Sequence, residues 1–572
     1  MDSTNLSSTI WAVANLLRGD YKQSDYGTVI LPFTLLRRLD CVLADTKADV
    51  LATYAKVSKD VEKVKDAQLR KASKQSFYNT SKMDLKTILG DPNKIRTNLT
   101  SYIQSFSDDA RDIFDRYRFI DEIANLDSKN LLYKVAEEFI KIDLNTKKVS
   151  NTDMGLAFEE LIRKFAELSN ETAGEHFTPR EVIKLMVNIL FQGDDEGLSK
   201  PNVVRTIYDP TAGTGGMLSV AEEHLRTMNP KSQLKAFGQE LNDQSFAICK
   251  ADMLIKGQNV GNIAQGNTLS EDKHSDAKFD YMLSNPPFGV EWKKVQKQVE
   301  DEHKIRGFAG RFGAGLPRVN DGSMLFLMHL LSKMRSVKEG GSRIGIVLNG
   351  SPLFTGGAGS GESDIRKWII ENDLLEGLIA LPPDMFYNTG INTYIWILTN
   401  HKSPERKGKI QLVNASDFYV KMKKSLGSKR KEISEEQVEK ITNLYGKYRQ
   451  GEFCKILKNE EFGYRTITVE RPLLDEKGKP VKDKKGGKKS DSKLRDTENV
   501  PLNEKIESYF KREVLPHVPD AWIDEDKTKV GYEIPFTRIF YKYQPPRSLK
   551  EIDKDLKTKV AKIQALLAEV SE

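Results

Sequence analysis

The 572-residue sequence contains few cysteines and no long apolar run. Its three cysteines, Cys41, Cys249 and Cys454, are far apart, which excludes a disulfide scaffold and a cysteine-based zinc site and indicates a reducing compartment. The longest apolar stretches, such as Met324–Leu331, fall short of the roughly 18 residues that a membrane span needs. The first residues also lack the basic and apolar segments of a signal peptide. We therefore expect a soluble, cytoplasmic protein with no membrane partner and no metal site.

The sequence also lacks a large excess of one charge, because it contains 89 Lys and Arg residues and 82 Asp and Glu residues. Hydrophobic residues make up 38% of the chain, which is enough for sizeable cores and excludes a disordered protein. The net charge of +7 is unevenly distributed along the sequence. Lys402–Lys431 has a net charge of +8 and Asp475–Arg495 one of +5, so the rest of the chain has a net charge of −6. Lys293–Arg318 adds seven basic residues against three acidic ones. Such segments fit contact with phosphates, although solvated loops are the alternative.

The pattern of apolar residues changes near residue 150. Before it, apolar positions recur at helical spacing, as in Ile10–Leu17 and Phe33–Leu39. After it, short β-branched runs alternate with helical patterns, which predicts an α/β fold with a mostly parallel, doubly wound sheet. The last two runs are too close in sequence for a helical crossover, so they should pair antiparallel. A parallel sheet that ends in an antiparallel hairpin is the arrangement that methyltransferases use. The predicted strands are Val203–Asp209, Leu234–Glu240, Asn262–Asn267, Phe279–Ser284, Ser342–Leu348, Leu375–Leu381 and Thr393–Thr399.

These patterns predict four regions. They are a helical N-terminal domain (1–150), a catalytic domain (151–474), a Lys-rich insert or linker (475–500) that is disordered or a flexible hairpin, and a helical C-terminal tail (501–572). In the tail, Ser548 and Glu551 form a capping box, and apolar residues follow at spacings of three or four from Leu549 to Val570. This stripe favours a partner helix, with packing on its own domain as the alternative.

A glycine-rich motif, Asp-Pro-Thr-Ala-Gly-Thr-Gly-Gly, begins at Asp209, where a predicted strand ends and a helix begins. Gly213, Thr214, Gly215 and Gly216 would let the backbone approach a ligand closely. The spacing is not that of a dinucleotide fingerprint, and the Asp209 carboxylate suits a cationic ligand better than a pyrophosphate. The motif therefore favours S-adenosyl-L-methionine, which carries an ammonium group and a cationic sulfur. A plain tight turn is the alternative.

The ends of the next two predicted strands also carry polar residues. Glu240 ends the second strand, where doubly wound folds bind ribose hydroxyl groups, and Asn267 ends the third, where an adenine ring would lie. No Gly-x-x-x-x-Gly-Lys-Ser/Thr segment occurs, so the chain does not encode a P-loop motor.

The motif Asn285-Pro286-Pro287-Phe288 follows the fourth predicted strand and suits chemistry on an amino group of a base. Such a group is a poor nucleophile because its lone pair is delocalised into the ring. The Asn285 side-chain carbonyl and the Pro286 backbone carbonyl can accept both amino protons, and the two prolines fix the backbone. Phe288 offers a ring on which a flipped base can stack. A purely structural loop is the alternative.

A third motif precedes the sheet. Thr178, Pro179 and Glu181 have the pattern of an N-cap, an N1 proline and a capping-box glutamate. The helix N-terminus that they predict can hold the carboxylate of the cofactor, with Phe177 against its apolar parts. His176 by itself could equally be a surface histidine. The cofactor-binding candidates in this motif are Glu175, His176, Phe177, Thr178, Pro179 and Arg180.

These motifs, in this order, resemble the modification (HsdM) subunit of type I restriction–modification systems. The Glu-His-Phe-Thr-Pro-Arg, Asp-Pro-Thr-Ala-Gly-Thr-Gly-Gly and Asn-Pro-Pro-Phe-Gly segments carry the resemblance. Three further segments extend it over nearly the whole chain, at residues 31–39, 515–523 and 531–536. The Asn-Pro-Pro-Phe motif alone indicates only an amino-methyltransferase, and the flanking segments make the resemblance specific.

The resemblance implies a Rossmann-like S-adenosylmethionine-dependent methyltransferase domain between a helical N-terminal domain and a helical tail. It implies transfer of a methyl group to the N6 amino group of adenine in double-stranded DNA. It assigns cofactor contacts to Glu175–Arg180, Thr214–Gly216 and Glu240, and catalysis to Asn285–Phe288. It also implies two modification subunits with one specificity (HsdS) subunit, which reads the target sequence, and a restriction (HsdR) subunit that joins for cleavage.

The residues themselves leave three alternatives. The first is a methyltransferase that acts on cytosine, RNA or a protein glutamine. The second is a binding module that only senses the cofactor or scaffolds a complex. The third and weakest is a nucleotide-dependent dehydrogenase.

Overall fold

The structure is a computed structural model that describes residues 3–57, 61–168, 178–192, 194, 198–387, 389–426, 428–482, 487–543 and 547–571. The chain forms two compact units, Met1–Ile534 and Pro535–Glu572. In the described part of the chain, none of the helices combines the length and the apolar character needed to cross a membrane. The predicted division of the chain at residues 150 and 474 stays a prediction.

The first 150 residues are helical, as the spacing of their apolar residues predicts. The side chains of Phe33, Phe119 and Phe139 are fully buried, and the ring centroids of Phe33 and Phe139 are 5.3 Å apart. The α-helices in the described residues of this region are α1 (Ser3–Trp11), α2 (Ala14–Leu17), α3 (Tyr26–Leu43), α4 (Lys47–Val57), α5 (Glu62–Ser73), α6 (Leu85–Leu89), α7 (Ile95–Gln104), α8 (Asp108–Arg116), α9 (Phe119–Ser128) and α10 (Leu132–Lys141).

A nine-stranded sheet forms the centre of the larger unit, in the order β11-β8-β6-β7-β5-β4-β1-β2-β3. Strand β1 is parallel to β2 and β4, so the strands that carry the motifs end at one edge of the sheet. Strand β7 is antiparallel to both β5 and β6, which confirms the predicted antiparallel pair. The strands are β1 (Val204–Asp209), β2 (Gln233–Glu240), β3 (Ile263–Gln265), β4 (Tyr281–Ser284), β5 (Arg343–Asn349), β6 (Leu375–Ala380), β7 (Thr393–Thr399), β8 (Lys409–Asn414) and β11 (Cys454–Lys458).

Helices cover the sheet, since its central strands are buried and apolar on both faces. Val182, Leu185, Met186 and Ile189 of α12, for example, are all buried. The helices of this part are α11 (Asn151–Leu168), α12 (Arg180–Gln192), α13 (Gly216–Met228), α14 (Asp243–Ile255), α15 (Gln296–Arg306), α16 (Ser323–Ser332), α17 (Ser351–Phe354), α18 (Gly361–Glu371) and α19 (Glu435–Gly446).

All seven predicted strands exist, with boundaries that differ by a few residues. The third spans only Ile263–Gln265, and the fourth begins at Tyr281. The sequence did not predict β8 and β11 at the sheet edge, or the hairpin of β9 (Val420–Leu426) and β10 (Lys429–Glu432). The hairpin strands are rich in lysine, and such polar runs lack the apolar alternation by which half-buried strands are recognised.

The tail is not helical throughout, contrary to the prediction. Strand β14 (Trp522–Tyr532) pairs with β12 (Gly463–Glu470), and β13 (Asp496–Pro501) lies on the other side of β12. The only helical segments of this tail within the larger unit, in its described residues, are α20 (Ile506–Tyr509) and a π-helical turn, Phe510–Val514. Most side chains of β14 are exposed or half-buried, so its charged sequence carries no apolar alternation that would reveal a strand.

The Lys-rich insert (475–500) follows β12, and its last residues form most of β13. Its described residues and those just before it form antiparallel bridges, Pro472 with Ser490, Leu474 with Pro480, and Lys482 with Lys488. The amide of Leu473 donates to the carbonyl of Lys489 and that of Val481 to the carbonyl of Leu473, both at 2.8 Å. Of the two predicted alternatives, the hairpin is therefore correct for the described part of the insert.

The smaller unit contains α21 (Phe536–Ile539) and the long helix α22 (Leu549–Ser571). The predicted capping box is present, since the Ser548 amide donates to the Glu551 carboxylate at 3.0 Å and the Glu551 amide donates to the Ser548 hydroxyl at 3.3 Å. The apolar stripe of α22 is exposed, in the residues Leu549, Ile552, Leu556, Val560, Ile563 and Leu567.

Candidate functional site

A cavity of about 1170 Å³ lies at the edge of the sheet where β1–β4 end. Its size suits a small-molecule ligand together with part of a second one, because ligand pockets typically measure about 300–1,000 Å³. Of the predicted site residues, those that line it are Thr178, Arg180, Asp209, Gly213, Thr214, Gly216, Glu240, Asn267, Asn285 and Pro287. Pro179, Gly215, Pro286 and Phe288 are not part of its wall. Glu175, His176 and Phe177 lie outside the described residues.

The glycine-rich loop after β1 is held in a conformation that other residues rarely adopt. Gly213 and Gly215 have φ values of 54° and 83°, in the left-handed region that favours glycine. A Cβ atom at Gly215 would lie 2.7 Å from the sulfur of Cys249. The amide of Ala212 donates to the carbonyl of Gln239 at 3.0 Å, which joins the loop to the end of β2. The loop thus exposes backbone at the cavity wall.

Glu240 connects the loop to the end of β2. One oxygen of its carboxylate accepts from the amide of Gly213 at 2.8 Å, and the other from the amide of Asn242 at 2.7 Å. Each oxygen keeps a second lone pair that can accept from a ligand hydroxyl. One strand further along, the Gly266 amide donates to the Glu240 carbonyl at 2.9 Å, and Asn267 caps its own loop by accepting from the Leu269 amide at 3.0 Å.

Asp209 is a buried carboxyl group at the end of β1. Its side chain accepts from the amide of Thr211 at 2.9 Å and lies beside the Thr211 hydroxyl at 3.2 Å. Burial raises the pKa of the Asp209 carboxyl to about 7, and the negative charge of Glu240 adds to the rise. The hydroxyl groups of Thr211 and Ser284 are 2.8 Å apart, so the glycine-rich loop and the end of β4 are in direct contact.

Asn285 has one satisfied and one unsatisfied polar group. Its side-chain Nδ2 donates to the hydroxyl of Thr178 at 3.0 Å. Its Oδ1 is buried and has no hydrogen-bond partner among the described residues. A buried acceptor without a donor costs free energy, and such groups in native proteins commonly await a ligand. Nearby, the Phe288 ring contacts the edge of Phe386, with ring centroids 5.7 Å apart.

The predicted capping box at the start of α12 is wrong. The helix begins at Arg180, and the carbonyl of Pro179 accepts from the amides of Val182 and Ile183 at 3.0 and 3.1 Å. Thr178 instead contacts Asn285, and the Glu181 carboxylate pairs with Lys429 of β10. The local pattern could not reveal this, because both partners are more than one hundred residues away in the sequence.

The helical N-terminal region supplies part of the cavity wall, which the sequence did not predict. The wall includes Asp115 at the end of α8, and Tyr117 and Arg118 from the turn between α8 and α9. Arg116, the last residue of α8, pairs with Asp243 at 2.7 Å. These residues belong to no recognisable motif and lie about one hundred residues before the glycine-rich loop, so only tertiary structure brings them to the site.

The basic segments have mixed roles. Several of their cations form ion pairs, including the buried Lys402 with Asp373, the buried Lys429 with Glu181, and the half-buried Arg311 with Glu302. Other cations are exposed, and one of these, Lys294, lies on the cavity wall. The exposed cations of the segment after the catalytic motif are Lys293, Lys294, Lys297, Lys304, Arg306 and Arg318.

The sequence matches two known protein families. The sequence matches the family described as N-6 DNA Methylase over residues 149–470, and the HsdM N-terminal domain family over residues 6–139. The chain belongs to the N-6 DNA methylase family. The first match contains the sheet, the glycine-rich loop and the Asn285 motif, and the second contains most of the helical N-terminal region.

Curated relatives agree with this family assignment. The MjaIX methylase subunit of a type I restriction enzyme from Methanocaldococcus jannaschii is 26% identical over 461 residues, 77% of each chain. The MpnII methylase subunit of Mycoplasma pneumoniae is 23% identical over 498 residues, 79% of this chain and 86% of that one. The N-6 DNA methylase described here is thus similar to type I methylase subunits over most of its length.

Solved structures support the fold. The type I restriction-modification methyltransferase subunit from Streptococcus thermophilus matches with a TM-score of 0.64 and 24% identity, covering 81% of this chain and 97% of that one. A modification subunit of a type I restriction enzyme from Vibrio vulnificus matches with a TM-score of 0.54 and 17% identity, covering 89% and 98%. This N-6 DNA methylase therefore has the α/β methyltransferase fold with a helical N-terminal region.

Family membership establishes the reaction class. The chain is an adenine-specific DNA methyltransferase of the type I restriction–modification class, which modifies the N6 amino group. The assignment decides against the cytosine, RNA and glutamine acceptors and against the dehydrogenase that the residues alone left open.

Proposed function

We propose that the cavity binds S-adenosylmethionine beside one adenine flipped out of the DNA duplex, and that Asn285 activates the adenine amino group. The observation that carries this proposal is the buried Oδ1 of Asn285 at the cavity wall, which has no hydrogen-bond partner in the described part of the chain. An adenine amino group is a donor with two protons and would satisfy this acceptor. The cavity volume of about 1170 Å³ also leaves room for both molecules.

The residues at the ends of β1–β3 fit the cofactor. When bound, S-adenosylmethionine supplies an electrophilic methyl group on its sulfonium. The buried Asp209 carboxyl and the exposed backbone of Gly213–Gly216 suit its cationic methionine part, and the remaining lone pairs of Glu240 suit the ribose hydroxyl groups. Asn267 would border the adenine ring. Arg180, at the start of α12, lies on the same wall, and its guanidinium already pairs with Glu159 at 3.0 Å and Glu223 at 2.6 Å. The group that suits the cofactor carboxylate is therefore the N-terminus of α12.

Catalysis is assigned to Asn285, Pro286, Pro287 and Phe288. Asn285 Oδ1 and the Pro286 carbonyl accept the two amino protons and favour a tetrahedral nitrogen whose lone pair can attack the methyl carbon. Thr178 holds the Asn285 amide by accepting from Nδ2. Phe288, supported by Phe386, offers a stacking surface for the flipped base.

The exposed cations of Lys293–Arg318 suit the DNA backbone. Lys293, Lys294, Lys297 and Arg306 form no ion pair among the described residues, and the exposed Lys294 lies on the wall of the cavity that would receive the base. Contacts from such cations to phosphates would offset part of the few kcal/mol that base flipping costs. The buried cations of Lys402–Lys431 are less suited, since carboxylates already neutralise them.

The exposed stripe of α22 is proposed as the surface that contacts the specificity (HsdS) subunit. An exposed row of apolar residues at helical spacing is typical of a helix that packs on a partner helix. We further infer two copies of this chain per specificity subunit, with a restriction (HsdR) subunit added for cleavage. The proposal of these partners rests on the resemblance to type I modification subunits and on the names of the relatives, which are type I methylase subunits.

The test is Asn285→Ala in the complex with its specificity subunit. We expect methylation to be lost, because the acceptor for the amino protons is removed, while cofactor binding and assembly persist. Methyl transfer from labelled S-adenosylmethionine to target DNA measures the loss, and mass spectrometry of the product nucleosides identifies N6-methyladenine. Asn372→Ala, at the end of α18, is the matched control.

Full activity of Asn285→Ala would contradict the assigned role. Absence of transfer by the unaltered chain, with its specificity subunit and target DNA present, would favour a protein that only binds the cofactor.

A further inference from the structure

Arg311, in the glycine-rich segment Gly307–Gly315 after α15, makes contacts that the proposed mechanism does not use. Nη1 donates to the carbonyl of Thr268 at 2.6 Å, and Nη2 to the carbonyl of Leu269 at 2.8 Å. On the other side, Nε and Nη2 contact the carboxylate of Glu302, the latter at 2.7 Å. Nη1 also lies 3.2 Å from Nδ1 of His329. The guanidinium therefore joins one loop to helix α15.

The loop that Arg311 holds forms part of the cavity wall. Gly266, Asn267, Thr268 and Leu269 all line the cavity. The Thr268 hydroxyl donates to the carbonyl of Pro210 at 2.6 Å, so the loop is also joined to the glycine-rich loop after β1. Among the hydrogen bonds of the described residues, Arg311 is the only donor to the Thr268 and Leu269 carbonyl groups.

The charge of the half-buried Arg311 is balanced by the groups around it. An arginine has only donors, so His329 Nδ1 accepts from it and the ring proton lies on Nε2, which faces the Tyr208 hydroxyl at 3.0 Å. Burial lowers the pKa of His329 well below its ordinary value, which keeps the ring neutral. Glu302 therefore supplies the negative charge that Arg311 needs, at 2.7 Å.

We propose that Arg311 is a positioning residue for the cofactor: it fixes the Gly266–Leu269 loop in the shape that receives the adenine end of S-adenosylmethionine. The inference rests on the proposed cofactor site and extends it to a residue that does not line the cavity. A lysine cannot replace the guanidinium, since one ammonium group lacks the planar fork that reaches two carbonyls and a carboxylate together.

The test is Arg311→Lys in the complex with the specificity subunit. We expect the KM for S-adenosylmethionine to rise about tenfold, the size expected for losing one or two charge-assisted hydrogen bonds. At saturating cofactor, kcat and the KM for DNA should stay within about twofold, because the Asn285 motif is unchanged. Initial methylation rates at varied cofactor and DNA concentrations measure both, and calorimetry of cofactor binding checks the first.

The matched control is Arg366→Lys. Arg366 is a buried arginine of α18 that donates to the carbonyls of Pro352, Thr355 and Tyr532, away from the cavity wall. The Arg366→Lys variant should have a lower melting temperature and an unchanged KM for S-adenosylmethionine. An unchanged KM in Arg311→Lys, or an equal rise in Arg366→Lys, overturns the proposal.

Glu302→Gln decides the question even if Arg311→Lys does not fold. It keeps the shape of the side chain but removes the charge that orients Arg311, so the KM for the cofactor should rise by about threefold. An unchanged KM in a folded Glu302→Gln variant overturns the inference. Failure of the unaltered chain to bind S-adenosylmethionine would instead overturn the proposed function, which is a distinguishable result.

Discussion

At the scale of single residues, the site combines groups that are buried before any ligand arrives. Asn285 Oδ1 lacks a partner among the described residues, and the pKa of Asp209 is raised to about 7 by burial. Both conditions are unfavourable in the free protein. A bound hydrogen-bond donor would satisfy Asn285 Oδ1, and a bound cation would stabilise the ionised Asp209 carboxylate. Perturbed groups of this kind are concentrated at functional sites.

Asp209 predicts a pH dependence of cofactor binding. With a pKa near 7, the free carboxyl is largely protonated at pH 6, whereas a bound cation favours the ionised form. Binding should therefore release a proton, and the affinity for S-adenosylmethionine should rise about fivefold from pH 6 to pH 7. Titration calorimetry in two buffers with different ionisation enthalpies measures the proton release. Asp209→Asn should remove the dependence, and an equal pH dependence in that variant would contradict the assignment.

At the scale of elements, the sequence predicted those that carry periodic patterns or motifs. Strand β1 with its glycine-rich loop, and β4 with Asn285, were predictable because apolar runs end there in residues with special chemistry. Strand β14 could not be predicted from the sequence, because few of its side chains are buried and it therefore lacks an apolar pattern. The start of α12 was misjudged because Thr178 contacts Asn285 instead of capping its own helix.

Helix α22 gives a prediction at this scale. Leu556 lies in the middle of the exposed stripe, and a charge there cannot be buried against an apolar partner helix without a large desolvation cost. Leu556→Asp should therefore weaken binding of the specificity subunit by about tenfold or more, measured by co-purification and light scattering. Thr558→Asp, on another face of the same helix, is the control. Equal loss in both variants, or in neither, would argue against the stripe as the contact surface.

At the scale of the whole molecule, the cavity is assembled from parts that are distant in sequence. Its wall joins the end of α8 and the turn that follows it to the ends of the central strands. Two ion pairs join α8 to α14 beside this wall. Arg116 meets Asp243 at 2.7 Å, and Lys250 meets Asp112 at 2.9 Å. The sequence alone could predict the helical region and the sheet, but not that the helical region completes the site.

A charge exchange tests this arrangement. Arg116→Asp would set two carboxylates against each other beside the cavity and should lower the affinity for S-adenosylmethionine about two- to fivefold, a modest effect because both side chains are partly exposed. The double variant Arg116→Asp with Asp243→Arg restores opposite charges and should recover most of the affinity. Calorimetry measures both, and no recovery in the double variant would show that the pair does not hold the wall.

The three cysteines have a practical consequence for experiments on this protein. Cys41, Cys249 and Cys454 are all buried and unpaired by disulfides, and burial raises the pKa of each thiol. Reactive thiolate is therefore scarce in the folded state. A single cysteine introduced on the surface, for example at the exposed Ser492 in the Lys-rich insert, would be the one position that takes up a maleimide dye. Fluorescence labelling of this chain then needs no prior removal of native cysteines.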